Sequence, residues 1–519
     1  MKKLVLALAA FLVVGMVSAQ TLVYGVSGFP SSLDAVDSQD GNSLVVSGQI
    51  TERLVDFQPG GTDLIPGLAT EWSANDDATV WNFVLREGVT FHDGTSFNAE
   101  AVKFNVDRWN DPNGVRAEGK TFVPWGWVFG GPMGDGNLIA ETTVVSDNEV
   151  QFTLTQPAPF LPALWAAIYF QFSSPAAVEA NGVAYGTPGV GAVGTGPFKF
   201  VEWIEGERIV LERNDDYWNG PAQLEEVVFR GISEPTARLA EIQAGTIDIA
   251  VLLSADDLQT VQNDDGLKAA IPETELNVGY VAMHQESGPL GNLLVRQAIA
   301  HAIDREAIVD AFYGGLGKVA TSFIPSTMFG QGDGWPYDYD PERAKELLAE
   351  AGYADGFSTE FWYMPVSRPY YPAPQPIAET IATYLADVGI EVELLTEDWT
   401  TYLADYQTGK FPMYMLGWNA DYADPDNFLL TFFGPSAPSD LGWDSPETQD
   451  LLQQARQVAD PEVRTGLYDQ VQNNVAADVP SIPFANNRTL NVVRASIDGW
   501  VASPLGYSSV SLHSVTKAE

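Results

Sequence analysis

The chain has 519 residues, 45% of them hydrophobic and 18% charged, ample for a large core and too long for one ordinary domain. Lys and Arg total 26 against 69 Asp and Glu, a formal net charge of −43, which argues against nucleic acid and anionic membranes as partners because both need a basic surface. Cysteine is absent, which excludes disulfides, thiol catalysis, thiolate metal sites and a lipid-modified N-terminal Cys.

In chain order, Met1-Lys2-Lys3 is a short basic start, and Leu4 to Val17 is an apolar stretch too short to span a bilayer comfortably. Val17 and Ala19 then offer small residues where a signal peptidase needs them, so residues 1–19 are expected to be a leader cleaved before Gln20. Later apolar runs are shorter still; "FLPALWAAIYF" is interrupted by Pro162. "VWNFVL" alternates as a strand, with Trp81, Phe83 and Leu85 on one face. Asn98 is placed to cap a helix in which Val102, Val106 and Trp109 share a side.

"GVRAEGKT", Gly114 to Thr121, matches the phosphate-loop pattern formally. That pattern binds phosphate only between a strand and a helix start, and neither flank fits, so a surface loop is expected. "GVGAVGTGP" (189–197) and "IPETELNVGY" (271–280) are extended or glycine-rich and read as boundaries. "DPERAKELLAEAG" predicts a helix with Asp340 as N-cap, Pro341 at its first position, and Ala344, Leu347, Leu348 and Ala351 as the buried stripe before Gly352. "PIAETIATYLADVG" predicts a second helix, with Ile377, Ile381, Tyr384, Leu385 and Val388 on one face and Gly389 at its end. "IEVEL" follows as a strand, so the C-terminal half is expected to hold a mixed sheet covered by helices.

"MPVSRPYYP" places Arg368 in a proline-flanked segment; the residues alone favour a surface arginine paired with one of the many acids, with a pocket cation as the alternative. "GWNADYADPDNF" crowds Asp421, Asp424 and Asp426 beside Trp418 and Tyr422. Asp424 and Asp426 read as structural, with Asp426 or Asn427 capping a helix near Phe428. One of the carboxylates is a candidate to await a cation the chain does not itself carry. Trp399, Tyr402, Tyr406, Trp418 and Tyr422 fit either a core or a pocket wall.

No segment fills the twelve-residue calcium-loop pattern. The histidines, His92, His284, His301 and His513, show no metal-ligand spacing, and His301 fits helix packing better. No G-x-S-x-G elbow is present, and paired carboxylates of a glycosidase are not readable from spacing. No cofactor is expected.

Taken in order, "MPVSRPYYP", "AETIATYLADVGIEVEL", "DWTTYL" and "GWNADYADPDNFL" resemble the corresponding run of bacterial dipeptide-binding proteins, in the extracytoplasmic peptide/nickel solute-binding family 5 of ABC importers. "LVDFQPGGTDLIPGLATEW", "FVLREGVTFHDGTSFNAEAV", "VGTGPFKFVEW", "LNVGYVAM", "VRQAIAHAIDREAIV" and "YDPERAKELLAEAGY" extend the likeness over nearly the whole mature chain. The resemblance implies an α/β, two-lobed periplasmic-binding-protein-like fold of type II, with three domains, mixed sheets and a hinge between lobes. It implies domain I from residues 20–52, 195–275 and 490–519, domain II from 53–194 and domain III, the second lobe, from 276–489. "IPETELNVGY" and Arg488 to Val493 would be the hinge strands.

By the same resemblance Asp421 would receive a ligand α-ammonium and Arg368 its C-terminal carboxylate. Tyr370, Trp399 and Trp418 would line the site, and Ser27, Gly28 and Phe29 of "SGFP" would contribute from the opposite lobe. The implied role is capture of dipeptides or short peptides for a membrane ABC permease, by a non-enzymatic periplasmic monomer. Oligopeptides, glutathione, haem or a metal chelate are the alternative ligands, and a secreted hydrolase is the remote alternative. The acidic excess and the lack of the disulfide that family members often carry are departures.

Overall fold

The strand Val80–Leu85 buries alternate residues, Trp81, Phe83 and Leu85, as its pattern requires. In the computed structural model, whose described residues are 20–110, 120, 122–130 and 136–518, this strand lies in a four-stranded antiparallel sheet. Its order is Ala69–Ala74, Val80–Leu85, Glu149–Leu154, Ile139–Ser146. The helix Ala99–Asn110 covers it. Asn98 Oδ1 accepts from Ala101 N at 3.0 Å, and Val102, Val106 and Trp109 are buried.

A seven-stranded mixed sheet gathers distant pieces of chain. Its order is Leu267–Ala270, Leu490–Arg494, Ile249–Leu253, Thr21–Val26, Glu226–Gly231, Arg208–Arg213, Phe198–Ile204. Thr21–Val26 is parallel to both neighbours. A six-stranded mixed sheet holds Gly317–Val319, Ser481–Asn487, Asn277–Met283, Met413–Asn419, Phe357–Trp362 and Ile390–Leu395, in that order. Phe357–Trp362 is parallel to Ile390–Leu395 through the helix Pro374–Asp387, an α/β crossover. That helix buries Ile377, Ile381 and Leu385, and Gly389 follows with φ +92°. Helix Pro341–Glu350 starts as expected, with the Asp340 carboxylate accepting from Arg343 N at 2.9 Å.

The chain passes between the two larger sheets twice: between Ala270 and Asn277, and between Asn487 and Leu490. Asparagines clasp these crossings. Asn277 Nδ2 donates to Asn487 O at 2.7 Å, Asn487 N donates to Asn277 Oδ1 at 3.0 Å, and Asn486 Nδ2 donates to Asn277 O at 2.6 Å.

The smaller sheet's unit packs against the six-stranded sheet's unit, and one apolar cluster runs through both, from Phe152 and Trp165 to Leu416 and Phe428. The guanidinium carbons of Arg456 and Arg464 lie 5.5 and 5.4 Å from the Phe160 ring centre. Gln453 donates to Gln156 beside it. Residues so far apart in sequence meet only because the two halves are closed on each other.

The expected leader lies outside the described residues, as does most of "GVRAEGKT". Lys120, its described member, corrects the surface-loop expectation. It is buried, and its Nζ donates to Asp34 Oδ2 at 3.1 Å, Asp37 Oδ2 at 2.9 Å and the Tyr185 carbonyl at 2.8 Å. An internal lysine whose donors are already spent is not a phosphate ligand. No helix among the described residues is long and apolar enough to cross a membrane.

Candidate functional site

The three crowded aspartates separate by partner. Asp424 is buried and takes both ends of the Arg464 fork, at 2.8 and 2.7 Å, in a bidentate pair. Asp426 is buried and pairs with Arg456 at 3.3 Å. Helix Asp426–Phe433 begins there, but Asp424, not Asp426 or Asn427, supports its start: Asp424 Oδ1 accepts from Asp426 N at 2.9 Å. A side chain two residues upstream reaches the first free N–H, whereas Asp426 and Asn427 already lie inside the helix.

Asp421 has no cationic partner among the described residues. Asn427 Nδ2 donates to its Oδ2 at 3.3 Å and Tyr169 OH to its Oδ1 at 3.1 Å. Asn427 Oδ1 also accepts from Asp421 N at 2.8 Å and from Trp418 Nε1 at 3.2 Å, fixing the carboxamide's orientation. Burial raises the Asp421 carboxyl pKa to about 6, and the hydrogen bonds from Asn427 and Tyr169 only partly offset it. Asp421 remains partly exposed to solvent.

Arg368 likewise has no acid partner among the described residues, against the expectation of a surface ion pair. Its guanidinium lies over the Trp399 ring, 4.7 Å from the centroid, and Trp399 stacks on Tyr402. The backbone is held on both sides. Arg368 N donates to Tyr371 O and Tyr371 N to Arg368 O, each at 3.0 Å. Pro369 independently disfavours the helical region for Arg368.

Tyr370 is buried, and its burial pushes its hydroxyl pKa up to about 12. It packs on the paired glycines Gly279 and Gly417, register partners in adjacent strands. A Cβ on Gly417 would lie 2.4 Å from Tyr370 Cδ2 and 2.5 Å from the Val278 carbonyl. The strand Met413–Asn419 therefore positions both charges: Asp421 follows its end, and the Arg368 loop is seated on its glycine. Gly417→Ala should cost about 1–3 kcal/mol of stability by overpacking, read from chemical denaturation, and should loosen the Arg368 loop.

From the seven-stranded sheet, Ser27 Oγ donates to Asn42 Oδ1 at 3.1 Å, and Tyr507 OH donates to the same oxygen at 3.1 Å. Gly28 lies against Asn42, and Phe29 covers Gly231. Burial and the nearby Asp40 carboxylate raise the Tyr507 hydroxyl pKa to about 12, while Ser27 and the Arg368 charge pull it back. The Arg368 charge is thus felt at Tyr507, which shares Asn42 Oδ1 with Ser27. Burial and the charges of Asp421 and Asp40 raise the Tyr169 hydroxyl pKa.

Sequence reading missed Tyr169, Asn42 and Tyr507. Tyr169 lies in the run judged only for membrane length, and the one hydroxyl of "FLPALWAAIYF" was the available signal. Tyr402 and Tyr422 are buried core residues, whereas Trp399 and Trp418 are partly exposed. Among the described residues no group of three or more His, Cys, Asp or Glu is arranged to hold a metal ion.

Residues 63–440 match the family described as bacterial extracellular solute-binding proteins, family 5. The chain is also 35% identical over 532 residues to the "Dipeptide-binding protein" of Escherichia coli (strain K12), covering 98% of this chain and 96% of that one. The chain belongs to this family of solute-binding proteins. Another relative, the "Heme-binding protein A" of Haemophilus influenzae, is 34% identical over 95% of this chain and 92% of its own. Among solved structures, a dipeptide-binding protein from Pseudoalteromonas sp. SM9913 in complex with Met-Leu superposes with a TM-score of 0.85. It has 30% identity and covers 96% of this chain and 100% of that one. The two-lobed α/β architecture of periplasmic binding proteins is thus the fold of this chain.

Proposed function

We propose that this family 5 protein captures dipeptides or short peptides in the cleft between its lobes and delivers them to a membrane ABC permease, with no catalytic step. The observation that carries this reading is the isolation of two opposite charges: Asp421 and Arg368 lack protein counter-ions among the described residues, while Asp424 and Asp426 beside them are paired. A dipeptide supplies the two missing ions, its ammonium and carboxylate standing about two residue rises, ~7 Å, apart. Arg368 suits the carboxylate because its planar fork grips bidentately. Trp399, Tyr370 and Trp418 supply wall surface; Ser27, Gly28 and Phe29 close the site from the other side. The names of the E. coli and Pseudoalteromonas relatives agree with this ligand class.

In this reading residues 53–194 are an insertion in the first lobe, 276–489 are the second lobe, and residues 1–19 direct an extracytoplasmic, monomeric protein. Titration calorimetry with mixed dipeptides should give saturable heats with one ligand per chain. Flat traces across the panel, with binding to haem or longer peptides instead, would assign the cleft to another solute.

A further inference from the structure

We infer that Asn487 is a positioning residue for Arg368, tying the ligand-carboxylate grip to the strand at which the chain crosses between lobes. Asn487 is 5% exposed, and its Nδ2 donates to the carbonyl of Pro369 at 2.7 Å, one residue after Arg368. Its Oδ1 is buried without a partner among the described residues. The carboxamide therefore makes its hydrogen bond to the Arg368 loop and to nothing else described.

The aim of the carboxamide is itself fixed. Asn277 bonds both the N–H and the C=O of Asn487, continuing the sheet ladder through a side chain. Directly beyond, residues 488 and 489 lead into the first lobe's strand Leu490–Arg494. On the loop side, Tyr313 OH donates to Tyr370 O at 2.9 Å, a second tether of the same segment. The Arg368–Tyr371 bridge sets the loop's shape, and Asn487 with Tyr313 sets its place. Movement at the crossing is transmitted to the Pro369 carbonyl through one hydrogen bond, and thence to the guanidinium.

The inference rests on Arg368 taking the ligand carboxylate, so the test compares a free dipeptide with the same dipeptide as its C-terminal amide. In Asn487→Ala, affinity for the free dipeptide should fall by about tenfold, the most a single neutral hydrogen bond supplies, while affinity for the amide stays unchanged. In an Arg368→Ala background, Asn487→Ala should have no further effect. Tyr313→Phe, which keeps the buried ring, should show the same selective loss and serves if Asn487→Ala does not fold. Equal weakening of both ligands, or none, overturns the positioning role. A wild-type chain that binds both forms equally overturns the Arg368 grip and this inference together; a wild-type preference that both variants preserve overturns this inference alone.

Discussion

Arg368→Ala should weaken binding of a free dipeptide by about 2–5 kcal/mol, well over a tenfold loss in affinity, while leaving the fold nearly as stable. The loss is large because the closed cleft strips water from the ligand carboxylate, and truncation would leave that charge buried and unpaired. The fold is spared because no described acid leans on this guanidinium; only the contact with Trp399 at 4.7 Å is lost. In a chain of net charge −43, a carboxylate has little other positive charge to meet. Arg368→Lys should restore only part of the affinity, since an ammonium lacks the planar fork. Calorimetry for affinity and thermal melts for stability check both halves. Binding that survives the alanine change would remove the guanidinium from the site.

Asp421→Asn should cost the ligand a similar amount, about 2–5 kcal/mol, because the peptide ammonium would face a neutral group. The pH dependence gives this residue a signature. Burial holds the unliganded carboxyl pKa near 6, above its ordinary value, so the unliganded protein favours the protonated form. The stabilising contribution of that form is fully present below the ordinary carboxylate range and is lost as pH rises through 6. Relative to wild type, the Asn variant should therefore gain in stability as pH rises from 4 to 7.

Ligand affinity runs the opposite way. An ammonium binds the ionised carboxylate, so affinity falls as pH drops below about 6, and it falls again above about 8 as a peptide amino group loses its proton. The acid limb should vanish in Asp421→Asn and the alkaline limb should flatten. An acid limb that persists in the variant would assign it to another group.

Local chemistry was legible where it is local. Asp340 and Asn98 cap the helices expected of them, and the stripes Ile377–Ile381–Leu385 and Ala344–Leu347–Leu348 face inward, because capping and periodicity act over a few residues. Lys120 was misread as exposed because its partners, Asp34 and Asp37, lie more than eighty residues away. The residues alone favoured a surface ion pair for Arg368, because an acidic composition says nothing about which acids face a given loop; no described acid pairs with it.

The amino-acid order alone determined the family, the α/β alternation and the caps at Asn98 and Asp340, since each depends on residues adjacent in the chain. Only the tertiary structure decided which of three neighbouring aspartates has no cationic partner among the described residues. Arg464, forty residues beyond Asp424, and Arg456 close over two of them, while among the described residues the Asp421 carboxylate accepts from the hydroxyl of Tyr169 and the amide of Asn427. Charge pairing is a property of distance in space, and a linear sequence carries no such distance.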